Sequence, residues 1–222
     1  MKIQIRVFLV FVATLLSFQA VATSQQGDHA RSYRVTITNI TKGISFTPFL
    51  AATHNRHVNL FSLGDPASNE VSRVAEGGDI SGLNTELSES NHVHSTANSD
   101  GLLMPGESLA ITIDGNQKFN KLSLISMLLP TNDTVVALRG KKLPKHGTVT
   151  YLLRAYDGGT ETNDEYCANI PGPHCGGSPF SPEDDGEGYV YPSPGIHGQG
   201  DLSAADYHWD GAVAKVSIKR MH

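Results

Sequence analysis

Apolar and polar residues alternate with a period of two along much of the chain. In residues 33–41, the apolar side chains of Tyr33, Val35 and Ile37 alternate with polar ones, and residues 108–114 show the same pattern. Such alternation is typical of strands that bury one face. Five further segments have strand-like sequences: 57–63, 121–130, 134–138, 148–157 and 212–221.

The segment 121–130 differs from the others because it is apolar at nearly every position until Pro130. A continuous apolar run of this length predicts a central strand that is covered on both faces. The alternating segments should flank it, each with one face toward a shared core.

Helix signals are few. Asp65 and Pro66 are suited to an N-cap and a first-turn proline, and Gly77 and Gly78 would end that helix. Residues 80–90 predict a second short helix. Many strands with so little helix between them favour an all-β fold, an antiparallel β-sandwich with one or two short helices and long loops.

The first 22 residues have the pattern of a secretory signal peptide. Lys2 and Arg6 form a short positive region, residues 7–18 are an apolar core, and residues 20–22 read Ala-Val-Ala, a small-x-small cleavage pattern. The apolar core is too short for an ordinary transmembrane helix, although an uncleaved signal anchor is the alternative. We therefore expect export, to the periplasm or the medium, with cleavage after Ala22.

The rest of the chain divides into two parts. Residues 23–32 are expected to be a flexible mature N-terminus, and residues 33–222 a single domain. No later segment is apolar enough to span a membrane, so no transmembrane span is expected after signal cleavage.

Charge is distributed unevenly. The formal net charge is −5, which argues against a nucleic-acid partner. Between Ala155 and Ala214 there is no Lys or Arg, yet eleven of the 22 acidic residues lie there. Half of the negative charge therefore lies in the last third of the chain, which bounds where a cation could bind.

The chain has two cysteines, Cys167 and Cys175. In an exported protein an isolated pair predicts a disulfide. The spacing between them fits no common zinc pattern.

Three acids stand at predicted strand ends. Asp157 ends one strand and is followed by two glycines and Glu161, while Asp133 follows the buried strand 121–130. If these two strands are neighbours, the three carboxylates gather at one end of the sandwich. Their repulsion would be relieved by Ca²⁺, which takes 6–8 oxygen ligands. The alternative is an acidic surface loop that is solvated and binds nothing.

Several segments resemble the spondin N-terminal domain family. They are LSLISMLLPTND at 122–133, YDGGTETNDE at 156–165, the segment 59–79 and AKVSIKRM at 214–221. The resemblance is strongest to free-standing bacterial single-domain members, through IPGPHC at 170–175 and PGIHGQGDL at 194–202.

The resemblance implies a C2-like β-sandwich with a calcium ion held by acids at one edge. Its ligands would be Asp133, Asp157 and Glu161, where animal members have Asp at the last position. Gly158 replaces the family's alanine, which we expect to be harmless. Three further residues are lesser candidates for the site: Asn132, Asn163 and Glu165.

The predicted function is that of a calcium-binding adhesion or surface-interaction module with an extracytoplasmic protein or glycan partner. We expect no enzyme, because the chain has neither a G-x-S-x-G nor an H-E-x-x-H motif. Two alternatives stay open. A secreted hydrolase would use the acidic loops, and a transition-metal binder would require four histidines to converge: His54, His57, His92 and His94.

Overall fold

The computed structural model describes residues 30–180 and 185–221. Residues 1–22, the predicted signal peptide, and most of the predicted flexible N-terminus lie outside this range. Within the described residues there are ten strands and three short helices, as follows: β1 Arg31–Asn39, β2 Ser45–Phe46, β3 Leu50–His54, α1 Asn69–Gly77, α2 Ser81–Glu89, β4 Val93–Asn98, β5 Ser108–Gly115, β6 Lys121–Leu129, β7 Thr134–Lys142, β8 Thr148–Asp157, β9 Tyr191–Pro192, α3 Ala204–Tyr207 and β10 Ala212–Arg220.

The strands pair antiparallel in the order β4-β3-β6-β7-β8-β10-β1-β5, with β2 added beside β6 and β9 beside β8. This order gives two four-stranded layers, β4-β3-β6-β7 and β8-β10-β1-β5. The layers are joined by the short β7–β8 ladder, and β5 returns beside β4 on the other side. The all-β prediction is confirmed.

The main core fills the space between the two layers. Alternate residues of β1 and β10, such as Val35, Ile37, Val216 and Ile218, are fully buried there. Leu124 of β6 contributes from the opposite layer. The period-two pattern of β1 and β10 is therefore explained by one face in the core and one face outside.

A second apolar cluster lies on the outer face of the β3-β6-β7 layer. Val71 and Val74 of α1 and Leu83 of α2 cover this face, where they pack with Ile125 of β6 and Val135 of β7. Strand β6 is thus buried on both faces, as its continuous apolar run predicts.

Two predicted elements differ from the structure. Residues 57–63 form an irregular segment and not a strand, because Leu60 and Phe61 pack into the cluster under the helices from a loop. Helix α1 begins three residues later than predicted, with Ser68 as N-cap accepting a hydrogen bond from the amide of Val71 at 3.2 Å. Gly78 ends the helix in the left-handed conformation, as predicted.

Strands β3 and β4 have no clear signal in the sequence. The sequence of β3, LAATH, does not alternate, because all five of its residues are buried between β4 and β6 and under the helices. Strand β4 is polar and half exposed at the edge of its layer. The first strand also begins at Arg31, two residues before the predicted start of the domain.

Candidate metal centre

Asp133 and Asp157 are brought together where β7 and β8 pair. Asp133 immediately precedes β7 and Asp157 is the last residue of β8, and Thr134 is the register partner of Asp157. The amide of Gly158 donates to the carbonyl of Asp133 at 2.9 Å. The condition that strands β6 and β8 are neighbours is not met, since β7 lies between them. The turn from β6 into β7 nevertheless carries Asp133 to the same end of β8.

The carboxylate of Asp133 is fully buried and only one of its oxygens is hydrogen-bonded. Oδ2 accepts from the amide of Thr160 at 2.7 Å, from the amide of Glu161 at 3.1 Å and from the hydroxyl of Thr160 at 3.2 Å. Oδ1 is buried and has no hydrogen-bond partner among the described residues. A buried acceptor without a donor costs free energy, so this atom points to a missing partner.

Asp157 is also fully buried, and its carboxylate fixes the turn that follows β8. Oδ1 accepts from the amide of Gly159 at 2.9 Å, and Oδ2 accepts from Nδ2 of Asn163 at 2.8 Å. The same amide nitrogen lies 3.1 Å from the hydroxyl of Tyr191 and 3.4 Å from Oε1 of Glu187. Asn163, which the sequence suggested as a lesser candidate for a metal ligand, therefore donates a hydrogen bond that positions the carboxylate of Asp157.

Two glycines allow the third acid, Glu161, to be buried beside the others. Gly159 has a φ of +65°, and a Cβ there would lie 2.2 Å from the carbonyl oxygen of Tyr189. A Cβ on Gly158 would lie 3.1 Å from both the Cβ of Ala75 and the carbonyl oxygen of Asp133. The chain turns tightly here, and Glu161 is 0% exposed. Asp133, Asp157 and Glu161 are together called the acidic edge.

Asp133 and Asp157 have no cationic side chain paired to them among the described residues. Within residues 30–180 and 185–221, the one salt bridge joins His208 to Asp210 at 3.4 Å, on the surface. Burial raises the pKa of Asp133 to about 6. Burial and the nearby charge of Asp133 raise the pKa of Asp157 to about 8. Burial and the charge of Asp157 also raise the pKa of Tyr191. Burial is the largest cause of all three shifts, and nearby negative charge adds to each of them.

The acidic edge fits a hard cation in its chemistry. Carboxylate oxygens are the ligands that Ca²⁺ prefers. Oδ1 of Asp133 is a buried carboxylate oxygen that accepts no hydrogen bond from the described residues, so it could bind a cation. A set of three His, Cys, Asp or Glu ligand atoms within 4.8 Å of one another occurs in the described part of the chain only at Cys167, His174 and Cys175. A cation at the acidic edge would therefore require the three carboxylates to move closer together.

A family model described as Spondin_N matches residues 16–171, well over half of the chain. The chain belongs to the spondin N-terminal domain family. Domains of this family are extracellular and of a non-enzymatic, binding type. A comparison with curated proteins finds no match. Among the helices of the described part, none is long and apolar enough to cross a membrane.

The family match ends before β9, α3 and β10, yet β9 and β10 belong to the same sheet as the matched strands. Strand β10 pairs with both β8 and β1, so the second layer needs it. The resemblance of residues 214–221 to the family's closing strand agrees with this position. Trp209, just before β10, packs against the main core and a small cluster beside it.

Glu165 clamps the glycine-rich segment 194–202 and was a lesser ligand candidate. Its Oε1 accepts from the amide of His197 at 2.5 Å, and its Oε2 accepts from the amides of Gly198 at 2.7 Å and Gln199 at 2.8 Å. The backbone of Glu165 has a φ of 58°, in the left-handed region. Its carboxylate is thus already saturated by three backbone donors, which leaves it poorly suited to a cation.

Asn132 also has a positioning role in the spondin domain. Its side-chain amide donates to Oδ1 of Asp164 at 3.0 Å, and its Oδ1 accepts from the amide of Glu165 at 3.3 Å. Asn132 therefore ties the residues before β7 to the loop after Glu161. Asp164, Glu187 and Tyr191 also surround the acidic edge and were not predicted. Glu187 and Tyr191 are more than 25 residues away in sequence from Asp157, so no local pattern connects them to it.

The predicted disulfide is confirmed between Cys167 and Cys175, whose Cα atoms lie 4.7 Å apart. It packs against a small cluster formed by Ile170, Ile196 and Leu202. The amide of Cys167 donates to Oδ2 of Asp201 at 2.9 Å. The disulfide loop and the glycine-rich segment therefore form one packed unit beside the acidic edge. Because both cysteines are paired, they offer no thiolate to a metal.

The four histidines of the transition-metal alternative do not converge as a group. His57 and His92 meet, with ring centroids 5.0 Å apart. His54 is buried and its ring nitrogens are engaged by the carbonyl of Asn55 at 2.6 Å and the hydroxyl of Ser123 at 2.8 Å. His94 stacks on Phe119. Two of the four are thus occupied in other contacts.

Proposed function

We propose that the spondin domain is exported and binds one Ca²⁺ at the acidic edge, where the ion stabilises the loops of a binding or adhesion module. The observation that carries this proposal is the burial of Asp133 and Asp157, each 0% exposed, with no Lys or Arg paired to either of them among the described residues. Buried charge of one sign needs a partner, either a proton or a cation.

Each carboxylate has a distinct part in this proposal. Asp133 offers Oδ1, while its Oδ2 holds the loop through three hydrogen bonds. Asp157 and Glu161 supply further oxygens from the two ends of the tight turn. A bound calcium ion would supply positive charge that neutralises the three groups. The remaining ligands of a site with 6–8 oxygens would be backbone carbonyls and water.

The ion would act on the rest of the molecule through the loops. Asn163 joins Asp157 of the acidic edge to Tyr191, and Asn132, next to Asp133 in the chain, accepts from the amide of Glu165. Fixing the carboxylates would therefore fix the loops that surround the cleft beside them. We infer that these loops form the binding surface of the module.

The cleft beside the acidic edge favours a binding role over the hydrolase alternative. It has a volume of about 220 Å³ and is lined partly by Asn163, Glu187 and Tyr191. A hydrolase would need a carboxyl of raised pKa in contact with substrate. Asp133 and Asp157, two carboxyls whose pKa is raised, do not line this cleft.

Thermal unfolding in EDTA and in calcium tests the proposal. With calcium at about a hundred times its dissociation constant, linkage predicts roughly 2.7 kcal/mol of stabilisation. For a domain of this size the midpoint of thermal unfolding should rise by roughly 5–10 °C.

The informative variant is Asp133→Asn. Its new amide oxygen can keep the three hydrogen bonds of Oδ2, and its amino group takes the position of the unpartnered Oδ1.

We expect Asp133→Asn to unfold at a higher temperature than the wild type in EDTA and to gain nothing from calcium. Asp100→Asn is the matched control, since Asp100 is exposed just after β4, the strand at the opposite edge of its layer from β7. The control should respond to calcium like the wild type. An equal calcium response in all three proteins would place the ion elsewhere, and no response in any of them would rule out the site.

A further inference from the structure

A second cleft opens where the β7–β8 ladder stops. Only three residue pairs join these strands, Thr134 with Asp157, Val135 with Tyr156 and Val136 with Ala155. Beyond them β7 continues beside β6 and β8 continues beside β10, so the two strands separate. The space between them is a cleft of about 600 Å³, closed on one side by the loop that follows β3.

This cleft is lined by five cationic side chains and no acidic one. They come from the loop after β3, from β6, from β7 and from β8, and are together called the basic cleft: Arg56, Lys121, Arg139, Lys141 and Arg154. None of them makes a salt bridge within the described residues. Five cationic side chains that make no salt bridge among the described residues are unexpected in one cleft of a chain with a net charge of −5. Repulsion among them would be relieved by an anionic ligand.

Arg139 is held in place at the centre of this surface. Its guanidinium carbon lies 4.8 Å from the ring centroid of Phe61 and 5.6 Å from that of Tyr156. Its Nε is buried without a hydrogen-bond partner in the part of the chain that the structure describes. Aromatic contacts of this kind orient a guanidinium and lower the entropy lost when an anion binds. The donor at Nε is therefore fixed but unused.

The aromatic rings of the cleft are covered by its own cations. Arg139 and Phe61 contact Tyr156, and Lys141 lies 5.9 Å from the ring centroid of Tyr151. Non-specific binding of single-stranded nucleic acid relies on free aromatic faces for base stacking. The basic cleft instead offers charge, together with Oδ1 of Asn59 as an acceptor for hydroxyl groups, since Nδ2 of Asn59 donates to the hydroxyl of Ser62 at 2.9 Å. This combination suits a chain of sugars that bears regularly spaced acidic groups.

We propose that the basic cleft binds a segment of an acidic polysaccharide, with carboxylate or sulfate groups contacting Arg139, Lys141 and Arg154. The cleft is distinct from the acidic edge, so this proposal does not rest on calcium binding. It gives the binding module a partner of defined chemistry. A polysaccharide with one acidic group on each sugar or pair of sugars can reach several of these cations at once, which a single small anion cannot do.

Binding of polygalacturonate and dextran sulfate oligosaccharides, with neutral dextran as the blank, tests this proposal. The double variant Lys141→Gln/Arg154→Gln removes two exposed cations from the cleft. The matched control Arg34→Gln/Lys219→Gln removes one Arg and one Lys from exposed positions on β1 and β10, outside the cleft. We expect the wild type and the control to bind one or both acidic probes, with affinity that falls as salt is added.

For the cleft variant we expect a dissociation constant roughly tenfold higher, since two charge-assisted contacts are lost. The measurements are made in EDTA and repeated in calcium, and we expect the same ranking in both. Equal affinity of the cleft variant and the wild type would overturn the proposal. So would equal or tighter binding of polyglutamate or single-stranded DNA, or binding of inorganic phosphate without binding of either acidic polysaccharide.

Discussion

Strands β7 and β8 are paired at one end and separated at the other, and the two ends carry opposite charge. At the paired end, the carboxylates of Asp133 and Asp157 are fully buried. At the separated end, the cations of the basic cleft line an open space of about 600 Å³. Neither group is balanced by salt bridges among the described residues.

The difference between the two ends lies in their contact with water. The acidic edge is desolvated, which disfavours the charged form of its carboxyls and raises the pKa values of Asp133 and Asp157. The cations at Lys141 and Arg154 are exposed, so water stabilises them without a partner. A ligand at the acidic edge should therefore change the free energy of unfolding. A ligand at the basic cleft should have little effect on stability, and its binding should be detected through its affinity and the dependence of that affinity on salt.

The largest expected effect is a pH dependence that arises at the acidic edge. The pKa values of about 6 for Asp133 and about 8 for Asp157 lie above the ordinary value of 3.8. From about pH 4 to about pH 8, the folded metal-free protein therefore holds more protons than the unfolded chain, and the free energy of unfolding falls as pH rises. We expect a loss on the order of 5 kcal/mol between pH 5 and pH 8 in EDTA, most of it from Asp157.

Urea unfolding at several pH values measures this loss. Saturating calcium should reduce it by holding the carboxylates in their charged form, and Asp133→Asn should reduce it by removing one of them. The cleft variant Lys141→Gln/Arg154→Gln should leave the slope unchanged. A stability that rises with pH in EDTA, or a slope that is identical in Asp133→Asn, would contradict the assignment to the acidic edge.

A smaller effect is expected at the basic cleft when its fixed cation is removed. Arg139→Met keeps much of the side-chain length but loses the contacts with Phe61 and Tyr156. We expect a loss of about 1 kcal/mol in the free energy of unfolding, measured in urea. Arg154→Met is the control, because Arg154 is exposed and should change stability by less than about 0.5 kcal/mol. Equal losses in both variants would mean that the stacking of Arg139 contributes nothing.

The sequence predicts the fold where burial follows a regular pattern. Strands β1, β5 and β10 alternate because one face meets the core, and β6 is apolar throughout because α1 and α2 cover its outer face. The pattern fails at β3, whose small residues are buried on all sides, and at residues 57–63, where apolar side chains reach a cluster from a loop.

The candidate sites differ in how far the sequence predicts them. Asp157 and Glu161 share one loop, and Asp133 follows a recognisable strand, so the acidic edge is predictable from local motifs. The sequence does not predict how Asp133 and Asp157 come together, because β7 separates β6 from β8 and the turn from β6 into β7 carries Asp133 to the end of β8. The basic cleft has no local motif, since its five cations come from four segments that only the strand order brings together.

Anomalous diffraction from a crystal grown with calcium shows directly whether the acidic edge holds a calcium ion. We predict one anomalous peak at 2.3–2.6 Å from carboxylate oxygens of Asp133, Asp157 and Glu161, the usual Ca–O range. The peak should be absent in Asp133→Asn crystals grown in the same solution. A wild-type crystal with no peak at these three residues, or with a peak at other acids alone, would contradict the claim.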